Sequence, residues 1–347
     1  MLTAESLKEY YPFNTFEPKF LPLLLEEIKT FEVNKGTILF RQGKHSKHTK
    51  YLLNGAVQII QKDGRDKTVK STSLQSKYPL SDAHKSNKVD ATVISNTVQG
   101  FGINSILLDH FRVWNDLFLA SSKDSPLRGH DSYHWVIGLL KSRSVQMLPQ
   151  GHIEQIFKEL TPDEVHHGDE VISEGEAGKH CYVIAAGKAA VFKCKAEGEA
   201  KVANLGPGDL FGENALVSNE PRTASVRMTS DGLLMKLEGK RFSALLKSHV
   251  VRWITSQTAL QKIASGGVLI DVREEDEFAR QRIEGCVNVP SSDIRQRLKQ
   301  LDPKKAIITC SNQGGRSASA AFLLATLGFD VYALQGGINS LLKSADL

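Results

Sequence analysis

No run of residues in this chain is long and apolar enough to span a bilayer. Its longest uncharged apolar stretch, Ala318 to Phe329, falls well short of the roughly 20 residues that a spanning helix requires. The opening MLTAESLKEYYPF lacks both the basic start and the apolar core of an export signal, so a cytoplasmic location without a membrane partner is expected. Cysteine is scarce. Cys181, Cys194, Cys286 and Cys310 form no CxxC pair and no zinc spacing, which argues against a disulfide scaffold or a metal site and leaves four individual thiols. Compositional bias is also missing: 41% hydrophobic, 24% charged, 27 Gly and 11 Pro exclude collagen-like, coiled-coil and wholly disordered chains.

At 347 residues the chain is too long for one compact core and suits two or three domains. The net charge of +5 is concentrated locally, with eleven Lys and Arg against four Asp between residues 41 and 90. We read that excess as a solvated lysine-rich face rather than a nucleic-acid surface.

Two segments repeat one another. KGTILFRQG, YLLNG and VDATVIS in the first third recur as HGDEVISEG, YVIAAG and RTASVRM, with Gly36, Gly43 and Gly55 each matched 132 residues later by Gly168, Gly175 and Gly187. Within each copy, short β-branched runs alternate with glycine turns, which predicts a small barrel or jelly roll. Between the copies, SYHWVIGLLKSR and HIEQIFKEL have the apolar spacing of helices, and Arg241 to Gly267 reads as a helical connector ending in a glycine C-cap. After Gly267, GVLIDV, AIITC and VYALQGG alternate with helical stretches, as in a parallel α/β unit. The expected fold is therefore multidomain: residues 1–125 and 126–250 as two β-barrel or jelly-roll domains with flanking helices, and 251–347 as an α/β domain with a parallel sheet.

GDLFGENALVSNEPRTASV, Gly208 to Val226, has the chemistry of a ribose phosphate cradle. Gly212 permits a sharp turn, ENALV can begin a short helix with free N–H groups, Arg222 offers a bidentate fork, and Glu213 can accept from a sugar hydroxyl. With the glycine framework and the following RFSALL, the segment resembles the phosphate-binding cassette of the cyclic nucleotide-binding domain family over residues 150 to 250. The resemblance implies that Glu213 binds the ribose 2′-hydroxyl and Arg222 the cyclic phosphate, with Gly212, Asn214, Ala215 and Thr223 completing the ligand site. A hydroxyl after the arginine, as at Thr223, resembles members that accept cyclic GMP, while the habits of the family favour cyclic AMP; both remain candidate regulatory ligands. In the first copy, aligning Ala91 with Ala224 places Val89 opposite Arg222 and Leu80 opposite Glu213, so both anchoring charges are absent. Residues 15 to 110 are expected to form a related barrel that does not bind cyclic nucleotide in this way, with Lys85 and Lys88 as solvated lysines.

AIITCSNQGGRSASAAFLLATLGF places Cys310 at a strand end and starts a helix near Arg316. Free helix N–H groups and the guanidinium should favour a thiolate there, and Gly314 and Gly315 let the loop amides curl into an anion nest. With LIDVR, EGCVNVP and LQGG, the segment resembles the rhodanese homology family over residues 255 to 345. The resemblance implies a persulfide on Cys310, cradled by the loop Ser311, Asn312, Gln313, Gly314, Gly315 and Arg316, that passes sulfur from a small donor to a thiophilic acceptor. Asp271 and Arg273 read as braces, and Cys286 as packing. The loop is one residue longer than in most sulfurtransferases. Its Cys-x5-Arg spacing is similar to dual-specificity phosphatases and arsenate reductases, although no general acid is evident. Sulfur transfer, oxyanion chemistry and a non-enzymatic sensing or docking domain all stay open, as do a protein partner and a homodimer. The connector helix between ligand site and cysteine loop is the expected route of regulation.

Overall fold

The computed structural model describes residues 2–44, 46–61, 64–80, 87, 89–122, 125, 128, 133–195, 198–291 and 293–345, in two compact units, Met1–Tyr133 and His134–Leu347. Lys85 and Lys88 lie outside the described residues.

The first unit holds strands β1 (Lys29–Asn34), β2 (Ile38–Phe40), β3 (His48–Asn54), β4 (Ala56–Gln61), β5 (Asp66–Lys70), β6 (Val89–Val93) and β7 (Thr97–Asn104). They form two antiparallel sheets, β1-β7-β3 and β2-β6-β4-β5. Leu39, Leu52, Val57, Ile59, Val93 and Val98 fill a core, as the alternation of apolar residues along each strand demands. Helix Ser105–Ala120, capped by Asn104, packs Phe111, Trp114 and Phe118 against Phe20 in a second, aromatic core.

In the second unit, β8 (Thr161–Val165), β9 (Glu170–Ile172), β10 (His180–Ala186), β11 (Ala189–Lys195), β12 (Gly198–Leu205), β13 (Leu210–Phe211), β14 (Ser225–Met228) and β15 (Gly232–Glu238) form sheets β13-β10-β15-β8 and β12-β11-β14-β9. Remove β13 and the two sheets have the strand order of the first unit, element for element. The register revises the pairing expected from sequence. Phe40 pairs with Ala91 where Ile172 pairs with Val226, so Ala91 corresponds to Val226, and the counterpart of Arg222 is Asn87 rather than Val89. Backbone hydrogen bonds agree: Gly43 N donates to Asn87 O and Asn87 N to Lys44 O, as Gly175 N donates to Arg222 O and Arg222 N to Glu176 O. From Gly55 to Ala91 the chain is three residues shorter than from Gly187 to Val226, so the spacing of the glycines does not carry across to β6.

Beyond β15 the connector departs from the single helix expected over Arg241 to Gly267. Helical turns run from Gly239 to Val250, with a π-turn at Ser243–Lys247, and then Val251 is extended at φ −85° and ψ 109°. Trp253–Ile254 form strand β16, and helix Ser256–Ala264 follows, its Thr255 cap accepting from Thr258 N. Successive β-branched residues favour extension, and a sheet edge supplies the partners: Ala333 N donates to Arg252 O and Gln335 N to Ile254 O. The five-stranded sheet β16-β20-β19-β17-β18 is wholly parallel, with β17 at Val268–Asp271, β18 at Val287–Asn288, β19 at Ile307–Cys310 and β20 at Val331–Leu334. Helix Gly315–Leu327 crosses from β19 to β20, the right architecture for a ligand or reactive loop at the carboxyl ends of the strands.

Candidate functional site

Gly212 takes φ +80° at the start of the short helix Glu213–Ser218, a conformation that places the helix immediately after β13. Arg222 lies behind it and is 7% exposed. Its Nη1 donates to Gly212 O and its Nη2 to His180 O at 2.6 Å, so the guanidinium is aimed inward by two backbone carbonyls. A Cβ at Gly178 would come within 2.8 Å of the Ala215 Cβ and 3.4 Å of the Arg222 guanidinium carbon; one at Gly212 would reach 3.0 Å from Arg222 Nη1. The two glycines thus leave room for the arginine and nothing larger around it. Burial lowers the Arg222 pKa, while Glu213 and Glu176 act against that by charge. Glu213 is half-buried at the start of the helix that Gly212 leads into, Ala215 is buried in the same helix, and Asn214 and Thr223 are exposed.

In the first unit Asn87 occupies the place of Arg222. It is 2% exposed, and its Nδ2 donates to Lys44 O at 2.7 Å, which ties the loop together without bringing a charge. Leu80 is buried and Val89 half-buried.

The cysteine loop is folded in on itself. Cys310 is fully buried, and the Ser311 hydroxyl accepts from the N–H groups of Gly314 and Ser317, both at 3.2 Å. The position expected for an anion in the nest is thus held by a hydroxyl of the loop itself. Arg316 also differs from expectation. Its guanidinium grips Glu277, Nη1 to Oε2 at 2.5 Å and Nη2 to Oε1 at 2.9 Å, instead of turning toward the thiol. That pair holds the Glu277 carboxyl down at about 2. The surroundings of Cys310 run against the expected thiolate: the neighbouring Cys286 thiol and burial push its pKa up, and Arg273 opposes them. A buried thiol flanked by another thiol has nothing to solvate its charge.

Glu277 is the residue that sequence reasoning missed; Cys286, read as packing, does pack against the apolar cluster and also lies beside the Cys310 thiol. Glu277 sits in the acidic run EEDEF, caps its own helix by accepting from Glu274 N, and receives Asn312 Nδ2 at 2.8 Å. Asn312 Oδ1 in turn accepts from Arg273 Nη1 at 3.2 Å. Arg273 is held by Asp271 through Nη2 at 2.6 Å and Nε at 3.0 Å, both residues being buried. One chain of polar contacts, Asp271, Arg273, Asn312, Glu277 and Arg316, therefore fastens the rim of the loop. Gln313 is exposed.

The two sites meet. Helix Glu213–Ser218 lies against the first turns of helix Gly315–Leu327: Ser319 Oγ donates to Asn214 O at 3.1 Å, and a Cβ on Gly315 would be 2.5 Å from Ser218 O. Glu220 approaches Arg316 to 4.0 Å. Further along, the rings of Phe242 and Phe322 meet at a tilt of 53°, 5.9 Å between centroids. The close approach requires glycine at 315, and nothing in the local sequence of either segment announces it.

Residues 162–249 match the model of the cyclic nucleotide-binding domain and residues 255–344 that of the rhodanese-like domain, so the chain carries the first followed by the second. The cAMP-dependent protein kinase regulatory subunit of Hypocrea atroviridis is 43% identical over 79 residues, 23% of this chain and 16% of that protein. That of Blastocladiella emersonii is 31% identical over 106 residues, 30% of this chain and 26% of its own length. The chain thus spans about a quarter or less of the curated relatives it matches. Among solved structures, the regulatory domain of Toxoplasma gondii PKA with cAMP is 20% identical, with 76% of this chain and 95% of that chain covered and a TM-score of 0.33. Among the described residues, no helix is long and apolar enough to cross a membrane.

Proposed function

We propose that the protein is a cyclic nucleotide sensor whose second domain binds cyclic AMP and governs access to a sulfur-carrying Cys310. Arg222 binds the cyclic phosphate and Glu213 the ribose 2′-hydroxyl. Gly212, Asn214, Ala215 and Thr223 shape the remainder of the site. The first unit is a degenerate copy that takes no nucleotide in this way, because neutral Asn87 replaces the guanidinium that would compensate a phosphate. Cyclic AMP is preferred over cyclic GMP because the relatives matched by this domain are named for cyclic AMP.

The observation that carries the regulatory reading is the packing of helix Glu213–Ser218 on helix Gly315–Leu327. The residue proposed to grip the ribose begins one helix, and the reactive loop leads into the other. A ligand shifts an equilibrium only as far as its affinities for two states differ. Here any rearrangement of the first helix changes what the second can pack against. Because Cys310 is fully buried, sulfur transfer requires the loop to open, and nucleotide at Glu213 and Arg222 biases that opening by about 1 to 3 kcal/mol, roughly 5- to 150-fold.

The chemistry proposed is transfer from a small sulfur donor through a Cys310 persulfide to a thiophilic acceptor. Oxyanion chemistry is disfavoured by the engagement of Arg316 with Glu277. A second reading, a nucleotide-responsive docking domain without turnover, is favoured by the Ser311 hydroxyl that fills the nest. The test monitors thiosulfate-to-cyanide sulfur transfer, hydrolysis of an aryl phosphate and the rate of Cys310 alkylation, with and without cyclic AMP or cyclic GMP. Sulfur turnover that depends on Cys310 and responds to cyclic AMP is expected. Nucleotide-dependent alkylation with no turnover selects the docking reading, and no response to either nucleotide removes the regulatory one.

A further inference from the structure

Cys286 and Cys310 are 24 positions apart in the chain, yet the Sγ atoms of both and a carboxylate oxygen of Asp271 all lie within 4.8 Å of one another. Strand β17, which ends at Asp271, pairs with β19 through Asp271 and Cys310 and with β18 through Ile270 and Val287; the two thiols approach from either side of it. Two thiols and a carboxylate are a ligand set for a soft cation only if the carboxylate is free. Asp271 is not free: its Oδ1 accepts from Arg273 N and Nε, and its Oδ2 from Nε and Nη2. What remains is a dithiol.

Its two members differ in access. Cys310 is fully buried within the apolar cluster of Leu269, Ile308 and Leu334, whereas Cys286 packs against that cluster from its margin and is partly exposed. Cys286 follows Gly285 in a turn at φ +73°, with nothing within 4 Å of where a Gly285 Cβ would stand, and leads into the two-residue edge strand β18. A short edge strand held by one neighbour can give the small shift that brings the sulfurs to bonding distance, about 2.05 Å.

Resting on the reading of Cys310 as a persulfide carrier, we propose that Cys286 is the resolving thiol of this site: it closes a disulfide with Cys310 and discharges the carried sulfur as hydrogen sulfide. The Cys286 sulfur attacks the Sγ of persulfidated Cys310. The Cys286–Cys310 bond forms, the bond from Sγ to the outer sulfur breaks, and the outer sulfur leaves with its hydrogen and the proton of Cys286. The outer sulfur is reduced to sulfide as the two cysteine sulfurs are oxidised to the disulfide, so no external oxidant enters. An external dithiol, attacking first at the more accessible Cys286, restores both thiols and is itself oxidised. An intramolecular thiol already in contact has a large advantage in effective concentration over any acceptor that must reach a buried sulfur.

The experiment uses the full chain with thiosulfate as donor, in the wild type, Cys286→Ser and Cys310→Ser, read by intact mass, sulfide release and non-reducing peptide mapping. Diamide, a two-electron dithiol oxidant, is a parallel arm that needs no sulfur donor. Expected are one sulfide released per wild-type chain, a Cys286–Cys310 cross-linked peptide in both arms, and a Cys286→Ser protein that keeps one extra sulfur on Cys310 and releases no sulfide. A wild type that keeps the extra sulfur without releasing sulfide overturns the proposal and leaves the persulfide reading standing. Absence of the cross-link with diamide overturns the pairing. No sulfur uptake by any of the three proteins overturns the persulfide reading and the discharge step with it, while the diamide arm still decides whether the dithiol pairs.

Discussion

Gly315→Ala separates helix propensity from helix packing, because the two act with opposite signs at this position. Gly315 begins helix Gly315–Leu327, where alanine gains about 0.5–1 kcal/mol over glycine if nothing else touches it. The added Cβ would stand 2.5 Å from Ser218 O, a backbone atom of the helix that starts at Glu213 and one that no side-chain rotation can move aside. Separating the two helices enough to admit a methyl group is an overpacking cost of about 1–3 kcal/mol. The net expectation is a loss of roughly 1–2 kcal/mol, a fall of about 2–8 °C in midpoint for a unit of this size. The perturbation also falls on the joint that connects the nucleotide site to Cys310. Calorimetric or fluorescence melting therefore goes with the nucleotide dependence of Cys310 alkylation, which should weaken toward no response while nucleotide affinity stays within a few-fold of wild type. A variant that is more stable than wild type, with the alkylation response intact, would refute the argument, since it would mean that the two helices do not touch in solution.

Other consequences are equally direct. Arg222→Ala should weaken cyclic AMP binding roughly 10- to 150-fold, the worth of about 1.5–3 kcal/mol for a charge-assisted hydrogen bond; calorimetry should find one nucleotide per wild-type chain, and two equivalent sites would contradict the role assigned to Asn87. Asp271→Asn leaves the buried Arg273 guanidinium uncompensated and should cost about 3–5 kcal/mol in denaturant unfolding, with the loss largest in the rhodanese-like domain. Glu277 has its carboxyl lowered from 4.5 to about 2 by Arg316, so its contribution to stability is complete above pH 4.5 and disappears as pH falls toward 2. An acid titration of Glu277→Gln should be flatter than wild type across that window, and identical curves would show that the ion pair contributes nothing in solution.

Legibility of the chain divided by distance along it. The glycine turns, the short alternating strands and the strand-helix alternation after Gly267 were readable, because each depends on neighbours a few residues apart. The cyclic nucleotide-binding and rhodanese-like segments were readable for the same reason. The connector was misread: apolar spacing from Arg241 onward suits a helix, but the edge of β20 offered Arg252 and Ile254 hydrogen bonds that an isolated helix could not match. The partner of Arg316 was not legible: the guanidinium stands close to Cys310 in sequence, but Glu277, distant in sequence, claims it.

By itself, the order of amino acids determined that two related strand-rich segments precede an α/β unit, and that a carboxylate, a guanidinium and a cysteine stand at chemically suggestive positions. Only the folded molecule decided that Asn87 is the counterpart of Arg222, that Cys286 reaches Cys310, and that Ser218 touches Gly315. The physical reason is range. Dihedral preference and hydrogen bonding to near neighbours are written in each short segment, whereas contacts between remote segments depend on strand register and helix docking, which the packing of many residues fixes together.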